Sequence, residues 1–247
     1  MTLARPAPQR HTRQRIQESP TVTDIAQLFQ DQLAQAQIWQ ASIQRMLDLA
    51  AAAVFAVTGA LVASRKQMDI VGFLWLGVVT GVGGGTLRDM LLGVPVFWVI
   101  DPAPVAVCLV VAAAVHFSAH LLGSRYRVVL YLDAFGMALV TIAGTSKGLD
   151  AGAGPLVAVA MGVITAAFGG IVRDLLGQEP SILLRREIYV SASAAGAVLF
   201  VGLMALDFSR EVAMAVGLTL ACLIRVLAIR FDWALPVFRP RPERPPL

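Results

Sequence analysis

Two Arg-Asp pairs, Arg88-Asp89 and Arg173-Asp174, lie near the ends of long apolar runs, each four positions after a pair of glycines. Two further acids, Asp48 and Asp133, sit just inside other apolar runs, in Met46-Leu47-Asp48-Leu49 and Tyr131-Leu132-Asp133-Ala134. An ionisable side chain in an apolar segment is costly. It marks an ion path, a relay or a structural ion pair. The glycines before each pair, Gly83, Gly84 and Gly85 in one place and Gly169 and Gly170 in the other, bring a second kind of chemistry. Each glycine inside a helix costs about 1 kcal/mol relative to Ala and frees the backbone to bend. An unwound turn would present carbonyl oxygens, which are ligands for alkali cations.

These residues belong to one block written twice. Gly77-Val78-Val79-Thr80-Gly81-Val82-Gly83-Gly84-Gly85-Thr86-Leu87-Arg88-Asp89 returns as Gly162-Val163-Ile164-Thr165-Ala166-Ala167-Phe168-Gly169-Gly170-Ile171-Val172-Arg173-Asp174. The offset of 85 residues also carries Asp48 onto Asp133, Gly59 onto Gly144 and Pro95 onto Pro180, without a gap. Gly77, Gly81 and Gly85 share one helical face, a small-residue ridge that lets two helix backbones come close. Packing alone accounts for Gly77, Gly81 and Gly162; the Gly83–Gly85 run calls for a break. Residues 70–100 are too long for one upright span and carry only Arg88 and Asp89 as charges, which also predicts a broken second helix, and by symmetry a broken fifth.

The elements that hold these residues must be membrane helices. The chain is 57% hydrophobic and 15% charged, with mean hydropathy +0.72, whereas soluble domains carry about 25% charged residues. The net charge of +4 comes from arginines in short loops and tails, so it is no signal for nucleic acid. Spans of about 20 apolar residues are predicted at 46–64, 70–90, 101–122, 128–147, 155–177, 188–206 and 212–230. Three spans fit in each repeat. An odd number makes the second copy enter from the opposite side, giving an all-α, seven-helix membrane protein with an inverted 3+3 repeat and a seventh helix outside the symmetry. The expected layout is a disordered arm at 1–22, an amphipathic helix at 23–45 and repeat 1 at 46–127. Repeat 2 follows at 128–211, then the seventh helix at 212–231 and a Pro-rich tail at 232–247. The polar, Arg-containing start has no signal-peptide core.

Adjacent helical side chains diverge by about 100°, so neither arginine is expected to pair with its neighbouring Asp. Instead Arg88 is expected to reach Asp133 or Asp174, and Arg173 to reach Asp48 or Asp89, latching the halves together. Arg65, Lys66, Arg125, Arg127, Arg185, Arg186, Arg230, Arg239, Arg241 and Arg244 fall on one side of the membrane. By the positive-inside rule that side is cytoplasmic, with the C-terminus inside and the N-terminus outside. Arg225 and Lys147 are expected to snorkel, the latter with gating of a pore mouth as the alternative. His116 and His120, spaced i, i+4, lack a third ligand, so no metal site is expected. Cys108 and Cys222 are far apart and read as small apolar residues. No nucleophile elbow, phosphate loop or HExxH is present, so no enzyme is expected.

Three plus three plus one spans, with GGGxxRD in the second and GGxxRD in the fifth, resemble the bacterial branch of the trimeric intracellular cation (TRIC) channel family over about residues 45–230. The resemblance implies a homotrimer in the bilayer of the plasma membrane, with an ion pathway in each protomer. It implies conduction of monovalent cations, chiefly potassium with some sodium, and no cofactor. The kink glycines carry over as Gly83, Gly84, Gly85, Gly169 and Gly170, although Phe168 stands where the first copy has Gly83. Relatives are also labelled glycine transporters, so a carrier of a small neutral solute is the alternative.

Overall fold

The computed structural model describes residues 22–121, 124–180 and 188–234. Among these the chain is helical: α1 (Val22–Arg65), α2 (Ile70–Leu91), the short α3 (Phe97–Ile100), α4 (Ala103–Ser118) with a 3₁₀ turn, α5 (Arg125–Asp150), α6 (Pro155–Leu176), α7 (Val190–Ala205) and α8 (Arg210–Arg230). The chain divides into two units, up to Ala41 and Ser42–Leu247. In the first, the expected amphipathic segment is helical from Val22, with Leu33, Ile38 and Trp39 exposed. The expected 23–45 helix and 46–64 span are parts of one helix, because no Gly or Pro interrupts the sequence between Val22 and Thr58. The N-terminal arm, the arginines at 185, 186, 239, 241 and 244, and nearly all of the Pro-rich tail lie outside the described residues.

The second unit is a membrane bundle. Six helices are long and apolar enough to span a membrane, and α7 is a shorter apolar helix of 16 residues. At 1.5 Å per residue α7 is about 24 Å long, short of a hydrocarbon core of about 30 Å. It is shorter than the expected 188–206 because Tyr189 stands outside its first turn and Asp207, at φ 60°, turns the chain out of the helix. The centre is α5, buried on all sides from Gly136 to Ser146. Around it, Ala51 and Phe55 of α1, Ala166 and Ala167 of α6, Ala192 of α7 and Ala221 of α8 form one core cluster. A second joins Ala60–Ala63 of α1 to Phe73 and Leu76 of α2 and Ala112 of α4.

The repeat extends to the way helices end. After α2, the amides of Leu92, Gly93 and Val94 donate to the carbonyls of Arg88, Met90 and Asp89. After α6, those of Gly177, Gln178 and Glu179 donate to Arg173, Leu175 and Asp174, each 85 positions on. Gly93 and Gln178 both have positive φ, the left-handed cap that closes a helix C-terminus. The ends of α1 and α5 match in the same way, with Gln67 and Gly152 in the left-handed position.

The predicted break in the second and fifth helices is absent. Both α2 and α6 are helical throughout, glycines included. The surplus length of 70–100 is taken up elsewhere: α2 stops at Leu91, the chain turns at Gly93, and α3 returns against it.

A candidate ion pathway at the crossing of two glycine helices

The glycines act by being small. A Cβ on Gly84 would collide with the carbonyl oxygen of Thr165, and one on Gly169 would come within 3.1 Å of the carbonyl oxygen of Thr80. The contacts are reciprocal: each glycine meets the threonine of the other copy. As residue number rises along α2 it falls along α6, so the two helices cross antiparallel. Their threonine hydroxyls turn inward to their own helices, Thr80 to Leu76 O and Thr165 to Met161 O, which leaves the carbonyls facing the partner glycines. Gly85 makes room for the Phe97 ring of α3, and Gly170 lies 3.7 Å from Arg173 Nη2 and Asp133 Oδ1, again measured from where a Cβ would be. Around Gly83 nothing lies within 4 Å of that position, so it borders open space.

One turn beyond the crossing, each helix carries its Arg-Asp pair into a buried cluster. Arg88, Asp89, Asp133, Arg173 and Asp174 are all buried; Asp48 is partly so. Arg88 Nη1 donates to Asp48 Oδ1 at 2.9 Å while its Nε donates to Asp89 Oδ1 at 2.7 Å. Arg173 Nη1 donates to Asp133 Oδ1 at 2.6 Å, and its Nε and Nη2 donate to Asp174 Oδ1 at 3.0 and 2.9 Å. Both sequence expectations about these arginines fail. Each pairs with the acid of its own half, and each also binds its own neighbour. The cause of the first is the antiparallel crossing, which carries Arg88 and Arg173 away from each other's half. The cause of the second is the guanidinium itself: a planar fork with five donors on a long stem can serve two acids at once.

Other residues join the halves. Lys147 of α5, expected to snorkel, reaches into the first cluster, its Nζ 2.8 Å from Asp89 Oδ1 and above the Phe97 ring. Asp89 also accepts from the Phe97 amide, and Trp98 donates to Thr86 Oγ1, so α3 is pinned to the end of α2. Arg173 Nη1 donates to Thr58 of α1, and Glu179 accepts from Arg65 and Lys66 at 3.3 and 3.5 Å. Sequence reasoning missed Glu179, Thr58 and the use of Lys147. One available signal was that Lys147 maps onto Val62, a mismatch within an otherwise matched repeat. Arg225 does not snorkel either: it is fully buried, its guanidinium over the Tyr189 ring at 5.2 Å. His116 stands edge-on to Phe73 and Phe117. Between the spans, the Ala103 amide and Arg45 hold the exposed Asp101 carboxyl below its usual range.

Comparison with known proteins bears on what this arrangement is. A family model described as glycine transporter matches residues 45–120 and again 130–205, the same 85-residue offset. The chain is 42% identical over 198 residues to the UPF0126 inner membrane protein YadS of Escherichia coli (strain K12), covering 78% of this chain and 94% of that protein. A UPF0126 membrane protein of Vibrio cholerae is 37% identical over 80% of this chain and 83% of its own. A solved TRIC trimeric intracellular cation channel orthologue from Rhodobacter sphaeroides is 52% identical, with TM-score 0.76, covering 78% of this chain and all of that one. The chain belongs to the bacterial TRIC channel family. Within that family a second solved structure, of a TRIC cation channel, is 28% identical with TM-score 0.71 over 81% of this chain and 98% of that one. The TRIC fold accommodates the six long spans and the shorter α7 described above. These relatives are channels and membrane proteins rather than enzymes, and the Escherichia coli protein is an inner membrane protein.

Proposed function

We propose that the chain is a potassium-permeable monovalent-cation channel, with some sodium conduction, assembled as a homotrimer with one ion pathway in each protomer beside α2 and α6. The observation that carries this is the antiparallel glycine crossing with a compensated charge cluster at either end, in a chain 52% identical to a solved trimeric cation channel. Gly83, Gly84, Gly85, Gly169 and Gly170 line or shape the pathway as small positions on intact helices. The arginines are clasps, since a bare guanidinium in a pore would repel cations, and the acids Asp48, Asp89, Asp133 and Asp174 set the negative field at the two ends.

The two repeats are related by inversion. Three helices per copy (α1, α2 and α4; α5, α6 and α7) are an odd number, and reciprocal contacts of the Gly84–Thr165 kind are those of a two-fold axis. The seventh long helix, α8, stands outside the symmetry and contributes to assembly. The N-terminus lies outside and the C-terminus in the cytoplasm, following the arginine distribution.

The description of the family model favours a second function, carriage of glycine or a similar neutral solute. Proteoliposomes separate the two. A channel gives potassium efflux that collapses the imposed gradient without saturating; a carrier gives saturable glycine uptake and no such efflux.

A further inference from the structure

The two charge clusters differ in one place, and the difference is a cation. In the first, Asp48 and Asp89 face Arg88 and Lys147. In the second, Asp133 and Asp174 face Arg173, and the position matching Lys147 is Val62. Val62 lies in the wall of a cavity of about 20 Å³ open to a water-sized guest, bounded also by Asp133, Arg173, Asp174 and Glu179. A single water needs roughly 10–15 Å³ on that measure, so the cavity takes one small guest. Asp133 Oδ1 is held by Arg173 on the Gly170 side, whereas Asp133 Oδ2 is buried and meets no hydrogen-bond partner. A buried carboxylate oxygen without a partner is costly.

We propose that this cavity is a binding site for one unhydrated alkali cation, potassium or sodium, in the place that the Lys147 ammonium takes in the other half. An ammonium, a potassium ion and a water molecule are close in size. Of the charged groups in the walls three are carboxylates (Asp133, Asp174 and Glu179) and two are guanidiniums (Arg65 and Arg173). Lys66, which reaches Glu179 at 3.5 Å, is not in the walls. That balance suits a single positive charge. A divalent ion would call for six or more oxygens and would face two guanidiniums. The site rests on the proposal that the protein handles monovalent cations, yet it is a binding site and can be detected without any current.

The test uses the purified full chain. A crystal soaked in thallium(I), a heavy stand-in for potassium, is expected to show one anomalous peak beside Asp133 and Glu179. In Val62→Lys, which supplies a tethered ammonium, the peak is lost. In solution, replacing potassium by N-methylglucamine at constant ionic strength is expected to lower the Tm of the natural chain by a few degrees. Val62→Lys is expected to show no such dependence. Should Val62→Lys not fold, Glu179→Gln, at the half-open edge of the cavity, is expected to weaken thallium occupancy instead. A natural-chain crystal with no peak at saturating thallium, or a peak that survives Val62→Lys, overturns the proposal and leaves the cavity to water. A peak in a protein that passes no current keeps this site and removes the channel.

Discussion

Arg88 serves two acids with one guanidinium, Asp48 through Nη1 and Asp89 through Nε, and Arg173 does the same for Asp133 and Asp174. Taking away one partner of such a buried pair leaves the other charge uncompensated, at a cost of about 3–5 kcal/mol. Arg173→Met is therefore expected to lower the thermal midpoint sharply in detergent. A double-mutant cycle tests the pairing itself. Arg88→Met and Asp48→Asn are expected to couple by about 0.5–3 kcal/mol, while Arg88→Met and Asp133→Asn are expected to add within about 0.5 kcal/mol. Coupling across the halves with none inside them would restore the latch inferred from sequence. Which residues are charged and buried was legible from the repeat. The choice of partner was not, because helical angles describe where a side chain leaves the backbone and not how far an arginine reaches. Lys147 was misjudged for a related reason: near a helix end, a snorkelling lysine and one drawn inward look alike until the facing acid is placed.

At the scale of elements, the sequence places six of the helices within a few residues, and the structure extends the repeat to matching caps after α1 and α5 and after α2 and α6. The glycine run misleads as to mechanism. Three glycines in a row free a helix to unwind, but they equally let a second helix approach, and only the position of α6 decides between these. Single substitutions separate the roles. Gly84→Ala pushes a methyl into the Thr165 carbonyl and is expected to destabilise by about 1–3 kcal/mol, as overpacking does. Gly83→Ala meets open space and is expected to leave stability unchanged or raise it by up to about 1 kcal/mol through helix propensity. Equal losses at both positions, measured by thermal unfolding, would contradict the crossing geometry. A Gly83→Ala chain that is stable yet conducts differently would mark Gly83 as a residue of the pathway.

For the whole molecule, the odd number of helices per repeat and the reciprocal α2–α6 contacts support one architecture, two inverted halves clasped by ion pairs, with α8 beside them. Topology can be checked directly: a reporter fused after the tail is expected to be active only in its cytoplasmic form, and activity of the external form would reverse the orientation. Function was legible only through the motif as a family likeness, since buried charges and small residues serve a carrier as well as a channel. Planar-bilayer recording of the purified protein in a potassium gradient is the most direct test of the central claim. The account predicts unitary currents that reverse near the potassium equilibrium potential. Saturable, coupled glycine uptake with no unitary current under the same conditions would contradict it.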